Sequence, residues 1–191
     1  MANKKYTELP QANAITGAEI LAMVQDGGSV QGDIDLIKAY FDTLYAPVNS
    51  GGDWRAHTAG GVGATATKIL YFTSVVTNSP GGKFTVTNND STNGLAITIN
   101  TAGLYAVSLW FDPSGSNYSG ISLNASSLTT SIISIAAAER LGMQYSAGPN
   151  QTADTSVTLR LAVNDVIRPH VNSGTVGTAA ASGFVITYLG A

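Results

Sequence analysis

The sequence predicts a mainly β fold of short antiparallel strands preceded by a small α+β segment, and three features carry that expectation. First, apolar residues make up 44% of the 191 residues and charged residues 11%, less than half of the roughly 25% usual in globular chains. With 21 glycines, and Ser, Thr and Asn at most polar positions, the chain suits strands and tight turns better than long solvated helices. Second, residues alternate in character over Leu104–Phe111 and over Val157–Val163, the period of a half-buried strand. Third, the closing segment is apolar on both sides, with Phe184, Ile186 and Tyr188 opposed to Val185, Thr187 and Leu189. Such a strand is expected where one face meets a core and the other a neighbouring subunit.

The chain opens with an acidic segment. Seven acids face three lysines up to Asp53, whereas six basic residues face five acids beyond it. Thr16-Gly17-Ala18-Glu19 fits a capping box, with Ile15 and Ile20 at the staple positions. Asp26-Gly27-Gly28 then breaks the chain, so Leu21, Met23 and Val30 are read as brief strands around an Asp-Gly turn. A helix is expected from Asp33 as N-cap, because Ile34, Ile37, Phe41 and Leu44 recur at three- and four-residue steps. A module this small cannot bury that stripe alone, and Ile34, Ile37 and Phe41 are therefore expected to dock on a partner. Ala46-Pro47-Val48-Asn49-Ser50-Gly51-Gly52 has linker composition, and Gly60-Gly61-Val62-Gly63 reads as a flexible lead-in to the first strand of the next domain. The expected division is residues 1–46 as an N-terminal module, 47–66 as a glycine-rich linker and 67–191 as a β domain.

The β domain carries, in order, ILYFTSVVTN from Ile69, GGKFTV, ITINTAGLYAVSLWF, SVTLRLAVNDVIRPHV and the closing ASGFVITYLGA. Within Leu104–Phe111, Tyr105, Val107, Leu109 and Phe111 share one face, and Leu104, Ala106, Ser108 and Trp110 the other. Asn164-Asp165 hinges a strand pair. Between Ser119 and Ser146 no strand boundary is evident, and a helical turn fits around Ala136–Glu139. This order resembles the C1q/TNF-like jelly roll, with its strand turning at Gly103 into Leu104-Tyr105 and its last strand opening Ser-Gly-Phe. The resemblance implies an antiparallel jelly-roll sandwich that associates as a compact homotrimer and acts as a binder. On the same reading Tyr105, Phe184, Ile186 and Tyr188 are divided between the core and the trimer axis.

YTELPQANAITGAEILAMVQDGG, near the start of the chain, resembles the short leader of many tailed-phage virion proteins: a Leu-Pro start, an Ile-Thr-Gly turn and a Val-Gln-Asp-Gly hairpin. Together the two resemblances imply a homotrimeric virion appendage. It would dock through its N-terminus on a capsid or tail protein and display a knob for capsid decoration and adhesion to host-surface carbohydrate. A head fibre or decoration protein is the first form of this reading, and a short tail fibre the second. A cellular C1q-like lectin or ligand, or a glycan-cleaving enzyme, would be the readings of another class.

Composition removes several chemistries. The chain has no cysteine, which excludes disulfides and thiolate-bound zinc. No basic patch with interleaved aromatics points to nucleic acid. The lysines near the N-terminus are followed by polar and acidic residues, unlike a secretory signal, so the acceptor patterns Asn124-Ala125-Ser126 and Asn150-Gln151-Thr152 are expected to be coincidental. There is no nucleophile elbow, His-Glu-x-x-His or phosphate loop. His57, in an expected loop, and His170, on an expected strand with Arg168, read as structural histidines. Asp112-Pro113-Ser114-Gly115-Ser116-Asn117 lacks the regular carboxylates of a calcium loop and reads as a turn. No catalytic residue, cofactor or metal is expected.

A binding face follows from strand direction. Gly52 and Ala191 are expected at the base of the domain, with Ala102-Gly103 and Ala162–Asn164. Ser79-Pro80-Gly81, Asp112–Asn117, Gly148–Asp154 and Ser173–Ala181 are expected at the far tip. The tip would then present Asp112, Asn117, Tyr118, Asn150, Gln151 and Asp154, whose amides, carboxylates and aromatic ring suit a sugar.

Overall fold

The computed structural model describes residues 20–25, 28–33 and 52–191. The chain divides into two units, Met1–Pro47 and Val48–Ala191. In the first, β1 (Ile20–Gln25) and β2 (Gly28–Asp33) pair antiparallel from Ile20 opposite Asp33 to Gln25 opposite Gly28, as the Asp-Gly turn requires. Asp33, expected as a helix N-cap, ends β2. The docking residues Ile34, Ile37 and Phe41, and the capping box at Thr16, lie outside the described residues.

The second unit is a sandwich of two five-stranded antiparallel sheets. Its strands are β3 (Asp53–Val62), β4 (Leu70–Ser79), β5 (Phe84–Asp90), β6 (Gly94–Ile99), β7 (Gly103–Phe111), β8 (Asn117–Leu123), β9 (Arg140–Ser146), β10 (Ala153–Leu161), β11 (Val166–Val171) and β12 (Gly183–Gly190). One sheet has the order β10-β7-β12-β3-β4 and the other β5-β6-β11-β8-β9, so the chain crosses repeatedly between sheets in jelly-roll fashion. Alternation explains the layers. Tyr105, Val107, Leu109 and Phe111 of β7 are buried and their neighbours half-buried. They meet Phe184 and Ile186 of β12, and Leu95, Ile97 and Ile99 of β6, in one core.

The expected linker over residues 47–66 is corrected by β3. This strand lies inside its sheet, between β12 and β4, with Trp54, Ala56 and Ala59 buried. Its sequence, Asp-Trp-Arg-Ala-His-Thr-Ala-Gly-Gly-Val, hides the strand because small residues stand where bulk would signal it. Gly60 leaves the space that the Tyr71 ring fills. Thr58 takes a left-handed φ of 63° and donates its amide to the Ser182 carbonyl at 2.9 Å. Sheet pairing here outweighs local propensity.

The unrecognised strand reverses the direction expected for β4. Asp53 pairs with Ser79, so Ser79-Pro80-Gly81 sits at the base beside Gly52 and not at the tip. The other end assignments stand. Leu161 lies opposite Gly103 at the base, and Ala153 lies opposite Phe111 at the tip. Between Ser119 and Ser146 the chain finishes β8 and runs along the outside of the second sheet. It then makes a 3-10 turn at Ala137–Glu139 and enters β9. Ile132 and Ile135 of that crossing segment form a satellite core with Ala125, packed by Tyr118 and Leu128.

Candidate functional site

The tip gathers the loops after β7, before β10 and before β12, with Pro113 bridged to Val176. Asp112 is at their centre, and it is a strut. It is 1% exposed; its carboxylate accepts from the Asn150 amide at 3.0 Å and the Thr178 amide at 3.1 Å. Its own amide donates to the Ser182 hydroxyl at 3.0 Å. Asn117, 2% exposed, holds Ser173 from both sides: its Oδ1 accepts from the Ser173 amide at 3.1 Å and its Nδ2 donates to the Ser173 carbonyl. Both were expected to face a ligand. Their hydrogen-bonding capacity is instead directed inward, at the backbone of neighbouring loops.

The remaining expected ligand residues separate. Asn150, with a left-handed φ of 62°, and Gln151 are exposed at the tip. Tyr118 is half-buried on the outside of the second sheet, its ring 4.9 Å from that of Tyr145. Asp154 is the second residue of β10, exposed and opposite Trp110, on the outer face of the other sheet.

The residues expected to be divided between the core and a trimer axis lie on the other side of these strands. Tyr105, Phe184 and Ile186 are fully buried within the single chain, so they belong to its core and cannot meet a neighbour. The Tyr105 hydroxyl lies 2.7 Å from the Thr101 carbonyl and 2.9 Å from that of Lys83; burial pushes its pKa up to about 12. Tyr188 is half-buried against the Tyr105 ring at 5.1 Å, with the Lys83 ammonium 4.8 Å from its own ring centre.

The residues of opposite parity form the outer surface of the sheet, with Asp154, Ser156 and Arg55 exposed and Trp110, Ser108, Val185 and His57 half-buried. Asp154, Trp110, Gly183 and His57 stand in one row across four strands, and Ser156, Ser108, Val185 and Arg55 in the next. The missing side chain of Gly183 lets the Trp110 ring lie over the backbone. The His57 ring meets Trp110 edge-on at 5.3 Å, and the Arg55 guanidinium lies 5.8 Å from the Trp110 ring centre. Ser156 donates to Ser108 at 2.8 Å. The signal was present in Leu104, Ala106, Ser108 and Trp110. What alternation cannot say is which of two partly apolar faces the second sheet will cover.

His57 is thus on β3, not in a loop. His170 is fully buried and ties the crossing segment to the sheet. Its Nε2 lies 2.7 Å from the Thr130 carbonyl and its Nδ1 3.2 Å from the Ser122 hydroxyl. The carbonyl can only accept, so Nε2 carries the proton and Nδ1 accepts from Ser122. Burial holds the imidazole below its ordinary value, as does Arg168 nearby. Among the described residues no group of three or more His, Cys, Asp or Glu could hold a metal ion.

No protein-family model matches the sequence, and no curated protein matches it. Solved structures with a similar chain course include murine APRIL, at 10% identity and a TM-score of 0.49, covering 73% of this chain and 99% of that one. Eiger TNF from S. frugiperda is similar at 12% identity and a TM-score of 0.47, covering 73% and 92%. Pika GITRL is similar at 11% identity and a TM-score of 0.45, covering 73% and 95%.

Proposed function

We propose that the protein is a homotrimeric phage virion appendage that acts by binding, with the outer face of the β10-β7-β12-β3-β4 sheet turned toward its sister subunits. The observation that carries the trimer is that face itself. Its centre presents Ala106, Ser108, Val185, Thr187 and a half-buried Trp110 without a charge. The charged residues Asp154, Arg160, Arg55 and Asp53 stand on the flanking strands β10 and β3, an apolar centre with a charged rim that suits burial against protein. A second and different surface, Met143 and Tyr145 on β9, is also exposed and apolar. Two unlike patches are what a head-to-tail contact needs in order to close a ring. The virion assignment rests on the resemblance of the N-terminal segment, and the stripe of Ile34, Ile37 and Phe41 is its docking candidate. The exposed Asn150 and Gln151 at the tip support a role in adhesion to host-surface carbohydrate.

Sedimentation of the full chain tests the assembly. The expected species at micromolar concentration is three chains of 19.6 kDa, and Val185→Asp is expected to yield folded monomers. A wild type that sediments as a monomer defeats the trimer reading. Immunogold labelling of intact particles tests the rest: label on the head fits decoration, label on the tail fits a short tail fibre, and unlabelled particles refute the virion reading.

A further inference from the structure

The charges on the outer face of the β10-β7-β12-β3-β4 sheet are ordered by height. Asp154 on β10 stands level with Trp110, Gly183 and His57 in the row nearest the tip. Val185 and Arg55 stand one row lower, Thr187 and Asp53 a row below that, and Arg160, opposite Leu104, in the lowest row. The β10 flank therefore runs from negative at the tip to positive at the base, and the β3 flank from positive to negative. Beyond β3, the edge strand β4 carries no charge. Within one chain the two flanks do not reach each other. Three strand spacings, about 14 Å, separate β10 from β3, and the Trp110 ring lies between them over Gly183. The Arg55 guanidinium, 5.8 Å from the centre of that ring, leans out of its own row toward the tip.

We propose that Asp154 of one copy pairs with Arg55 of the next around the trimer, and Arg160 with Asp53, so that all three tips point the same way. This rests on the trimer reading and its head-to-tail contact, in which the β9 edge of one copy, with Met143 and Tyr145, meets the sheet face of the next. β9 ends at Ser146 and β10 begins at Ala153, so Tyr145 and Asp154 share the tip end of that edge and Arg160 marks its base end. Set against the β12-β3 half of a neighbour with tips aligned, the edge brings carboxylate to guanidinium at both heights. Each pair is one row out of step, about 7 Å along the strand, which an arginine side chain spans. Inverting the neighbour brings Asp154 to Asp53 and Arg160 to Arg55, like charges at both heights. Complementarity of this kind fixes orientation more than it adds affinity. With tips aligned, the three copies of the exposed Asn150 and Gln151 stand at one end, where a repeated surface ligand engages them together.

Charge reversal on the full chain tests the pairing, with sedimentation equilibrium as the readout. Asp154→Arg and Arg55→Asp are each expected to raise the concentration needed for the trimer by about tenfold. The double variant Asp154→Arg/Arg55→Asp is expected to return to within about threefold of the wild type. Arg160→Asp should behave as Asp154→Arg does and be recovered by Asp53→Arg. Asp154 and Arg160 are exposed, so their reversal should leave the circular dichroism spectrum native, which separates lost assembly from lost fold. Trimers that form at the same concentration in the wild type and in Asp154→Arg overturn the pairing and leave the trimer standing. A double variant no better than either single reversal overturns it too. So does recovery of Asp154→Arg by Arg160→Asp in place of Arg55→Asp, the signature of inverted copies packed about a two-fold axis. A wild type that stays monomeric removes the trimer, and the pairing with it.

Discussion

Asp112→Ala separates a strut from a ligand contact. In the folded chain the carboxylate is the acceptor for the amides of Asn150 and Thr178, which belong to two different loops. Removing it leaves two donors without a partner in a largely closed space. Each orphaned buried donor costs about 1–3 kcal/mol; both amides are partly rather than fully buried, so water entering the space recovers a share. A net loss of about 2–4 kcal/mol is expected. For a chain of this size each kcal/mol moves Tm by roughly 2–4 °C, which places the shift at roughly 5–15 °C. Circular dichroism melts and urea titrations of Asp112→Ala beside Asp154→Ala measure it, and the exposed Asp154 should change stability by less than about 0.5 kcal/mol. Asp112→Asn, which keeps one acceptor oxygen, should fall between Asp112→Ala and the wild type. An Asp112→Ala protein that melts with the wild type would refute the strut assignment and return this carboxylate to the list of ligand candidates.

Three further outcomes are expected. Ile186→Asp should leave the chain unfolded, not merely dissociated: a buried unpaired carboxylate costs several kcal/mol, roughly, against a usual total of about 5–15 kcal/mol, and a native-like spectrum for this variant would contradict the core placement. His170 should make stability depend on pH. Its folded pKa lies below its ordinary value through burial, so the stabilisation is complete above about pH 6.5 and declines as the unfolded chain gains a proton below that point. Arg168, Lys68 and Glu139 are the charged groups that act on it; His170→Gln should flatten this decline in urea titrations between about pH 7 and 5, and an unchanged slope would count against it. Gly120→Ala should strongly destabilise the pairing of β8 with β9, because the new methyl would collide with the backbone carbonyl of Gly142 and with Ile132; a melt equal to the wild type would refute that close approach.

How much of this was legible beforehand depended on the kind of signal. Strands with strong alternation, β7 and β10, were readable because the two faces differ in chemistry, and the hinge at Asn164-Asp165 because its turn chemistry is local. Asn164 takes a left-handed φ of 72° and the Asp165 carboxylate accepts from the Ala162 amide at 2.7 Å. The candidate site was less legible. Asp112 and Asn117 have the composition of ligand residues, yet the same acceptors and donors serve equally well to bind backbone from loops about 40 to 70 residues away in sequence, and nothing local distinguishes the two uses.

The amino-acid sequence by itself determined the class of the fold, the strand pairing around Asp26-Gly27 and the two faces of β7, because periodicity and turn chemistry are properties of neighbouring residues. Tertiary structure decided what depends on distant segments meeting. It made a strand of Asp53–Val62, whose glycines and alanines become explicable once Tyr71 and Ser182 are beside them. It turned Tyr105, Phe184 and Ile186 inward by laying the second sheet across that side, which left Trp110, Val185 and Arg55 outside. It also enclosed His170 beneath a segment that begins about 40 residues earlier. In each case the deciding quantity is which surface another part of the chain covers, and burial of that kind is a property of the packed chain, not of any window of its residues.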